Sequence, residues 1–258
     1  MYRAIADYRA FIAFMMRNEH LASFAGMLLG SLWSFVFPIT QVLIYYFLVH
    51  VIFGRGGISG IDPFLMIVIG IMHYTVVSQI LSCSCSAILN RSDVLLHVRV
   101  EPAVFTALEY FKELRKGVQY LAIMLVCYVY FAPDVHWGLV AYPFLVIALV
   151  ASLWGACLIL SVSQVFYRDT GNIVRTLSTI SVYLCPTIYH FTFVPEKYWF
   201  LYFLNPLAGY FSWIQWSLLS GPMPPLWSLA WAGSVSLIVF ALGQRVYRIG
   251  CPNLTKRF

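Results

Sequence analysis

The chain has 258 residues, of which 61% are hydrophobic and only 10% charged, and it carries a net charge of +6. Typical soluble globular proteins run at roughly 45–50% apolar and about 25% charged, so these charges are too few to cover a water-facing surface. The basic excess also comes with no Lys/Arg stripe or nucleic-acid module, which excludes a nucleic-acid binder.

Residues 20–54, 63–90, 135–167, 176–195 and 198–244 contain no Asp, Glu, Lys or Arg. A bilayer crossing needs about 20 mainly apolar residues, and the expectation is an all-α, polytopic membrane protein. In chain order, residues 1–30 mix Phe11, Phe14, Met15, Leu21 and Phe24 with Arg9, Arg17 and Glu19, which predicts an amphipathic helix lying along the membrane. No short apolar run ends there at a small-residue cleavage site, so the segment is expected to stay on the protein. The first span runs from Leu32 to Phe53, is interrupted by Pro38, and ends at a Gly54-Arg55-Gly56-Gly57 turn. The second covers Pro63 to Ile88. Residues 90–116 are rich in both charge signs and belong in water or at the interface. The third span, Gly117 to Ala132, is short enough that it begins inside the preceding helix, with Lys112, Arg115 and Lys116 snorkelling to the headgroups. The fourth runs from Leu139 to Val162 after a Pro133-Asp134 turn. The fifth covers Ile173 to Phe191, kinked or unwound at Pro186, and the last Leu226 to Leu242.

Tyr198 to Leu219 is apolar enough for a seventh crossing, and charge decides against it. With six crossings and both ends cytoplasmic, Arg3, Arg9, Arg17, Arg91, Arg99, Lys112, Arg115, Lys116, Arg168, Arg175, Arg245, Arg248, Lys256 and Arg257 lie inside. Only Arg55 and Lys197 lie outside, as the positive-inside rule expects. Asn205-Pro206, Gly209 and the run Gly221-Pro222-Met223-Pro224-Pro225 instead suggest two short helices over 195–222 that enter and leave on the outer side. Such backbone is tolerated at membrane depth only when protein shields it or it lines a wet cavity.

The stretch 89–101, with Arg91, Asp93, Leu95, Leu96, His97 and Arg99, joins two spans on the inner side. It offers either a docking surface for a soluble partner or a solvated loop. Arg168 and Asp169 in the next inner connection offer a second contact, with Asp169 or Asn172 capping the fifth span. The spans contain no Asp, Glu, Lys or Arg away from their ends, which disfavours ion-coupled transport, and His50, His73 and His190 are more readily structural or interfacial than functional. No carboxylate pair, nucleophile constellation or metal-ligand spacing points to catalysis, and Cys83 and Cys85 are too close for the usual zinc pair. The six cysteines lie mostly in apolar runs and form no disulfide framework. No phosphate-binding loop is present, so an active transporter of this kind takes its energy from a separate ATPase. Tyr45, Tyr46, Tyr183 and Tyr189 lie in or near the first and fifth spans. They serve either as a conduit lining over which sugars slide or as span packing.

The chain resembles the permease subunits of ABC-2 polysaccharide exporters, in particular the O-antigen exporter permeases. The resemblance is carried by Gly30-Ser31-Leu32-Trp33-Ser34-Phe35 with Pro38, by Val165-Phe166-Tyr167-Arg168-Asp169, by Pro186-Thr187-Ile188-Tyr189 and by Asn205-Pro206-Leu207. It covers almost the whole chain in order and spacing. It implies a homodimer of permeases joined to two copies of a nucleotide-binding ATPase subunit, which holds the ATP and Mg, with no cofactor in this chain. It also implies an interface helix over residues 3–28, a coupling helix in 89–101 seated in the ATPase, and Arg168-Asp169 near the same interface. The location implied is the bacterial inner membrane, and the cargo a lipid-linked glycan. Capsular polysaccharide and teichoic acid permeases share this architecture, and a membrane-embedded enzyme of glycan assembly is the alternative from another class. The pattern departs between the re-entrant pair and the last span, where Gly221-Pro222-Met223-Pro224-Pro225 replaces the charges that related permeases often carry.

Overall fold

The computed structural model describes residues 1–24, 32–52, 54, 61–97, 100–131, 137–219 and 221–254, without the side chains of 20–24, 34, 96 and 253. Gly30-Ser31, Arg55, Pro133-Asp134, Arg99, Lys256, Arg257 and the Leu96 side chain lie outside the described residues. All regular structure within them is helical.

The chain opens with α1 (Tyr2–Asp7) and α2 (Arg9–Phe24). Ile12 is buried and Tyr8, Phe11, Met15 and Met16 pack against the core. With Glu19 they form one helical stripe, and the Phe11 ring meets Phe105 edge-on at 6.5 Å. α3 (Trp33–Tyr46) widens into a π-helical segment, Phe47–Ile52. Pro38 does not interrupt α3, which passes through it. Proline removes only one backbone donor, and at the second turn the helix continues past it.

α4 (Pro63–Ser86) is the central pillar, starting from an Asp62 cap whose carboxylate accepts the Phe64 amide at 2.7 Å. Every residue from Leu65 to Thr75 is buried, and α3, α6, α7, α8 and α10 all pack on α4. A single 3₁₀ turn (Leu89–Arg91) leads into α5 (Ser92–His97). α6 (Ala103–Phe131) is one continuous helix, charged in its first half and apolar in its second. A 3₁₀ turn (Trp137–Val140) leads into α7 (Tyr142–Phe166), and α8 (Thr170–Leu184) follows after three residues.

α8 ends at Leu184, where Cys185 turns extended (φ −100°, ψ 155°), so Pro186 terminates this helix and does not kink it. A residue before proline is forced out of the helical region, and the Thr187 hydroxyl takes the vacated Val182 carbonyl at 2.5 Å. Asp169 stands at the N-cap of α8 but makes no side-chain capping bond. After two 3₁₀ turns come α9 (Trp199–Phe203), α10 (Pro206–Leu219) and α11 (Leu226–Leu254).

α11 packs most extensively on α7. The crossing is at Gly155 and Gly243, where a Cβ on Gly155 would lie 2.5 Å from the Phe240 Cα and one on Gly243 would strike the Gly155 carbonyl. Small residues let helix backbones approach this closely. α10 runs antiparallel to α11: Tyr210 meets Ser236 at 2.9 Å, Trp213 bonds Ser228 at 3.1 Å, and Trp216 reaches Trp137 at a ring distance of 5.0 Å. Every residue of α10 from Ala208 to Leu219 is buried.

Among the described residues four helical stretches are long and apolar enough to cross a membrane: Phe35–Ile52, Pro63–Ser86, Trp137–Phe166 and Leu226–Pro252. The third and fifth predicted spans, in α6 and α8, fall short of that measure, α6 because charges fill its first half and α8 because it has 15 residues. Fifteen helical residues reach only about 22 Å.

Candidate functional site

Two places in the fold gather the residues that carry chemistry. At one end of the bundle, α2, the 3₁₀ turn before α5 and α6 meet through charge. Arg91 Nη2 donates to Glu19 Oε1 at 2.5 Å and to Glu109 Oε1 at 3.0 Å. Lys112 Nζ reaches Glu19 Oε2 at 3.3 Å and also pairs with Glu109 Oε2. The side chains of Arg91 and Glu109 are 12% and 10% exposed, which makes the ring largely dry. Burial alone would lower the Lys112 ammonium, but the Glu109 and Glu19 carboxylates outweigh it and hold the group above its ordinary 10.5. Lys112 therefore turns into this ring and does not snorkel outward.

One turn further along α6, the buried Glu113 pairs with Lys116 at 2.8 Å through Oε1, and its Oε2 has no partner among the described residues. The Cys83 thiol and the Glu109 and Glu113 carboxylates lie within 4.8 Å of one another. Arg91, Lys112 and Lys116 pair with those carboxylates, so the cluster is part of the same ion network. Nearby, the Tyr247 hydroxyl of α11 accepts the Ala103 amide at 2.9 Å and donates to Glu101 at 3.3 Å. The exit of the 89–101 segment is thereby tied to the last helix.

The other residues expected on this face divide by exposure. Asp93, Val94 and His97 are exposed on α5, while Leu95 is half-buried against the core. Arg9 and Arg17 are exposed on α2. Arg168 and Asp169 form an exposed knuckle between α7 and α8, held by a Gln164 amide that donates to the Arg168 carbonyl at 2.8 Å.

The second place is a cleft of about 230 Å³ between α3, α4 and α8. Phe37, Gln41 and Tyr45 line it from α3; Ile71, Tyr74, Thr75, Ser78, Gln79 and Ser82 from α4; and Arg175, Ser178, Thr179, Val182 and Tyr183 from α8. The spacing on each helix is three or four residues, so the lining is one face of each. Phe37 to Tyr45 alone spans about 12 Å. A direct bond from the Tyr74 hydroxyl to the Ser178 carbonyl joins α4 to α8 along its edge.

Of the four tyrosines singled out, Tyr45 and Tyr183 line this cleft. Tyr189 stands just beyond it, its hydroxyl donating to the Tyr183 carbonyl at 3.1 Å. Tyr46 is elsewhere, stacked on His50 and edge-on to Phe64, as a packing residue is. Asn205 caps α10, its Oδ1 accepting the Leu207 amide at 3.1 Å, and Pro206 is the first residue of that helix. His73 bonds the Ile69 carbonyl and the Tyr142 hydroxyl and has a structural part.

The sequence reading missed Gln41, Thr75, Ser78, Gln79, Ser82, Ser178 and Thr179. Their signal was present as small polar side chains at i, i+3, i+4 and i+7 inside apolar helices. With hydroxyls, amides and one guanidinium, and no nucleophile next to a base, the lining suits hydrogen bonding to a polyol.

No family model matches the chain. The O-antigen export system permease protein RfbA of Myxococcus xanthus is 28% identical over 195 residues, covering 76% of this chain and 74% of that protein. Two proteins of the same name from Klebsiella pneumoniae are each 24% identical, over 191 and 185 residues, covering 72% and 70% of this chain and 71% and 69% of theirs. The resemblance to O-antigen export permeases therefore extends well beyond the four short strings. Together with the long apolar helices, it makes the chain an integral membrane protein.

Proposed function

We propose that this chain is the permease subunit of an ATP-driven ABC exporter that carries lipid-linked polysaccharide of the O-antigen type from the cytoplasmic to the periplasmic side of the bacterial inner membrane. It acts as a transport subunit and not as an enzyme. The observation that carries this reading is a cleft lined by hydroxyls and amides between apolar helices, in a chain similar to named O-antigen export permeases over about three quarters of its length.

Six crossings follow when the apolar half of α6 and α8 are added to the four long apolar helices. α8 is shorter than a bilayer core, but Cys185, Pro186 and Thr187 after it are buried, and the Pro186 carbonyl accepts the Gln215 amide at 2.7 Å. Shielded non-helical backbone of this kind is compatible with membrane depth. The antiparallel course of α10 beside α11, its burial from Ala208 to Leu219 and the Asn205-Pro206 turn support a re-entrant pair that leaves on the side it entered. Both chain ends are cytoplasmic in this reading.

Two copies of an ATPase, holding ATP and Mg, would press on the exposed Asp93, Val94 and His97 of α5 and on the Arg168-Asp169 knuckle. Arg91 would pass that motion to Glu19 of the interface helix α2 and Glu109 of α6, because those carboxylates share its guanidinium. Two permeases would flank the glycan path. Co-expression with the cognate ATPase tests the reading. Equimolar co-elution and loss of surface glycan on deletion of this chain are expected. A chain that purifies alone and whose deletion leaves export intact would overturn it.

A further inference from the structure

Among the described residues, the α3–α4–α8 cleft is lined by one charged side chain, Arg175, and by no carboxylate. Arg175 stands in the second turn of α8 and is exposed, and it makes no ion pair with any described residue. An arginine on a crossing helix is costly against lipid and is found facing a wet cavity or a partner charge. Around it, the Ser78, Ser82 and Ser178 hydroxyls and the Gln41 amide make no hydrogen bond with a described residue. By contrast, the Thr75 and Thr179 hydroxyls are spent on backbone carbonyls at 2.8 and 3.0 Å. A cleft with one uncompensated positive charge and several unused polar groups is complementary to an anion that also carries hydroxyls.

We propose that Arg175 anchors a phosphoryl group on the ligand of this cleft, with the Ser78 and Ser178 hydroxyls as supporting donors. The guanidinium fork matches phosphate oxygens in a bidentate way, which an ammonium does not. This rests on the export reading above and adds the anionic group that selects the cargo at the cleft. Two sources carry that chemistry: the phosphate that joins a glycan to its lipid, and a phospholipid headgroup.

The test uses the full chain in phosphatidylcholine nanodiscs with radiolabelled farnesyl diphosphate as probe and farnesol as its neutral counterpart. Arg175→Gln should weaken farnesyl diphosphate binding by about tenfold or more, the scale of one lost charged hydrogen bond. Arg175→Lys should lose less, and farnesol should bind both variants as it binds the wild type. Competition by inorganic pyrophosphate points to the linking phosphate. Competition only when phosphatidylglycerol replaces phosphatidylcholine identifies a headgroup as the occupant, and the anchor stands in either case. Equal farnesyl diphosphate binding by wild type and Arg175→Gln overturns the anchor. The cleft's part in export is judged separately by Ser78→Trp, which fills it. Normal glycan export in that variant defeats the conduit whatever Arg175 binds, while blocked export with unchanged probe binding in Arg175→Gln defeats the anchor alone.

Discussion

Glu19, Arg91, Glu109 and Lys112 alternate in sign around a largely buried ring, and each acid touches both bases. Removing one member strands a partner away from water. Arg91→Gln should cost about 3 kcal/mol, read as a lower unfolding midpoint in detergent, and should reduce the coupling of ATPase activity to export. The pair Arg91→Gln with Glu109→Gln should cost less than the single change, because it leaves no bare charge behind. With Lys112 held above its ordinary value, that lysine's own contribution to the ring is fully present below about pH 10 and fades only as the pH climbs through the raised folded value. Lys112→Met should therefore lower the midpoint by the same amount at pH 6 and at pH 8, and a loss that differs between the two would refute the pairing. At the α10 cap, Asn205→Ala should cost about 1 kcal/mol, measured in the same way.

At the scale of the element, α7 and α11 are joined by the absence of side chains. Gly155→Leu or Gly243→Leu drives a branched side chain into a facing backbone and should abolish the monodisperse peak in detergent chromatography. Gly233, with nothing within 4 Å of its missing Cβ, should accept the same change. A normal peak from Gly155→Leu would show that this crossing does not hold the bundle. The α2 stripe shows how local pattern and tertiary partner combine. Tyr8, Phe11, Ile12, Met15 and Met16 follow helical period, and Glu19 continues it as a charge because Arg91 and Lys112, 72 and 93 residues later in the chain, neutralise it. Periodicity in the sequence alone makes Glu19 look like a break in the stripe.

For the whole molecule, the ion ring, the Tyr247 tie and the Arg168-Asp169 knuckle belong with the basic clusters, whereas His190 and Gly221 meet Ile61 just before the start of α4. A tag appended after Phe258 should be shielded from external protease in intact spheroplasts and one inserted at Met223 accessible; the reverse result would invert the topology and detach the docking face. The sequence determined the membrane class, the sites of the long apolar helices and the segregation of charge, because partition between water and lipid depends on composition summed over about 20 residues. It also held the resemblance to export permeases, in strings short enough to read. It could not determine where α8 stops relative to Pro186, which tyrosines share a cleft, or that Arg91 turns inward. Those outcomes depend on which face of one helix meets which face of another, and that is decided only when α3, α4 and α8, or α2 and α6, come together in space.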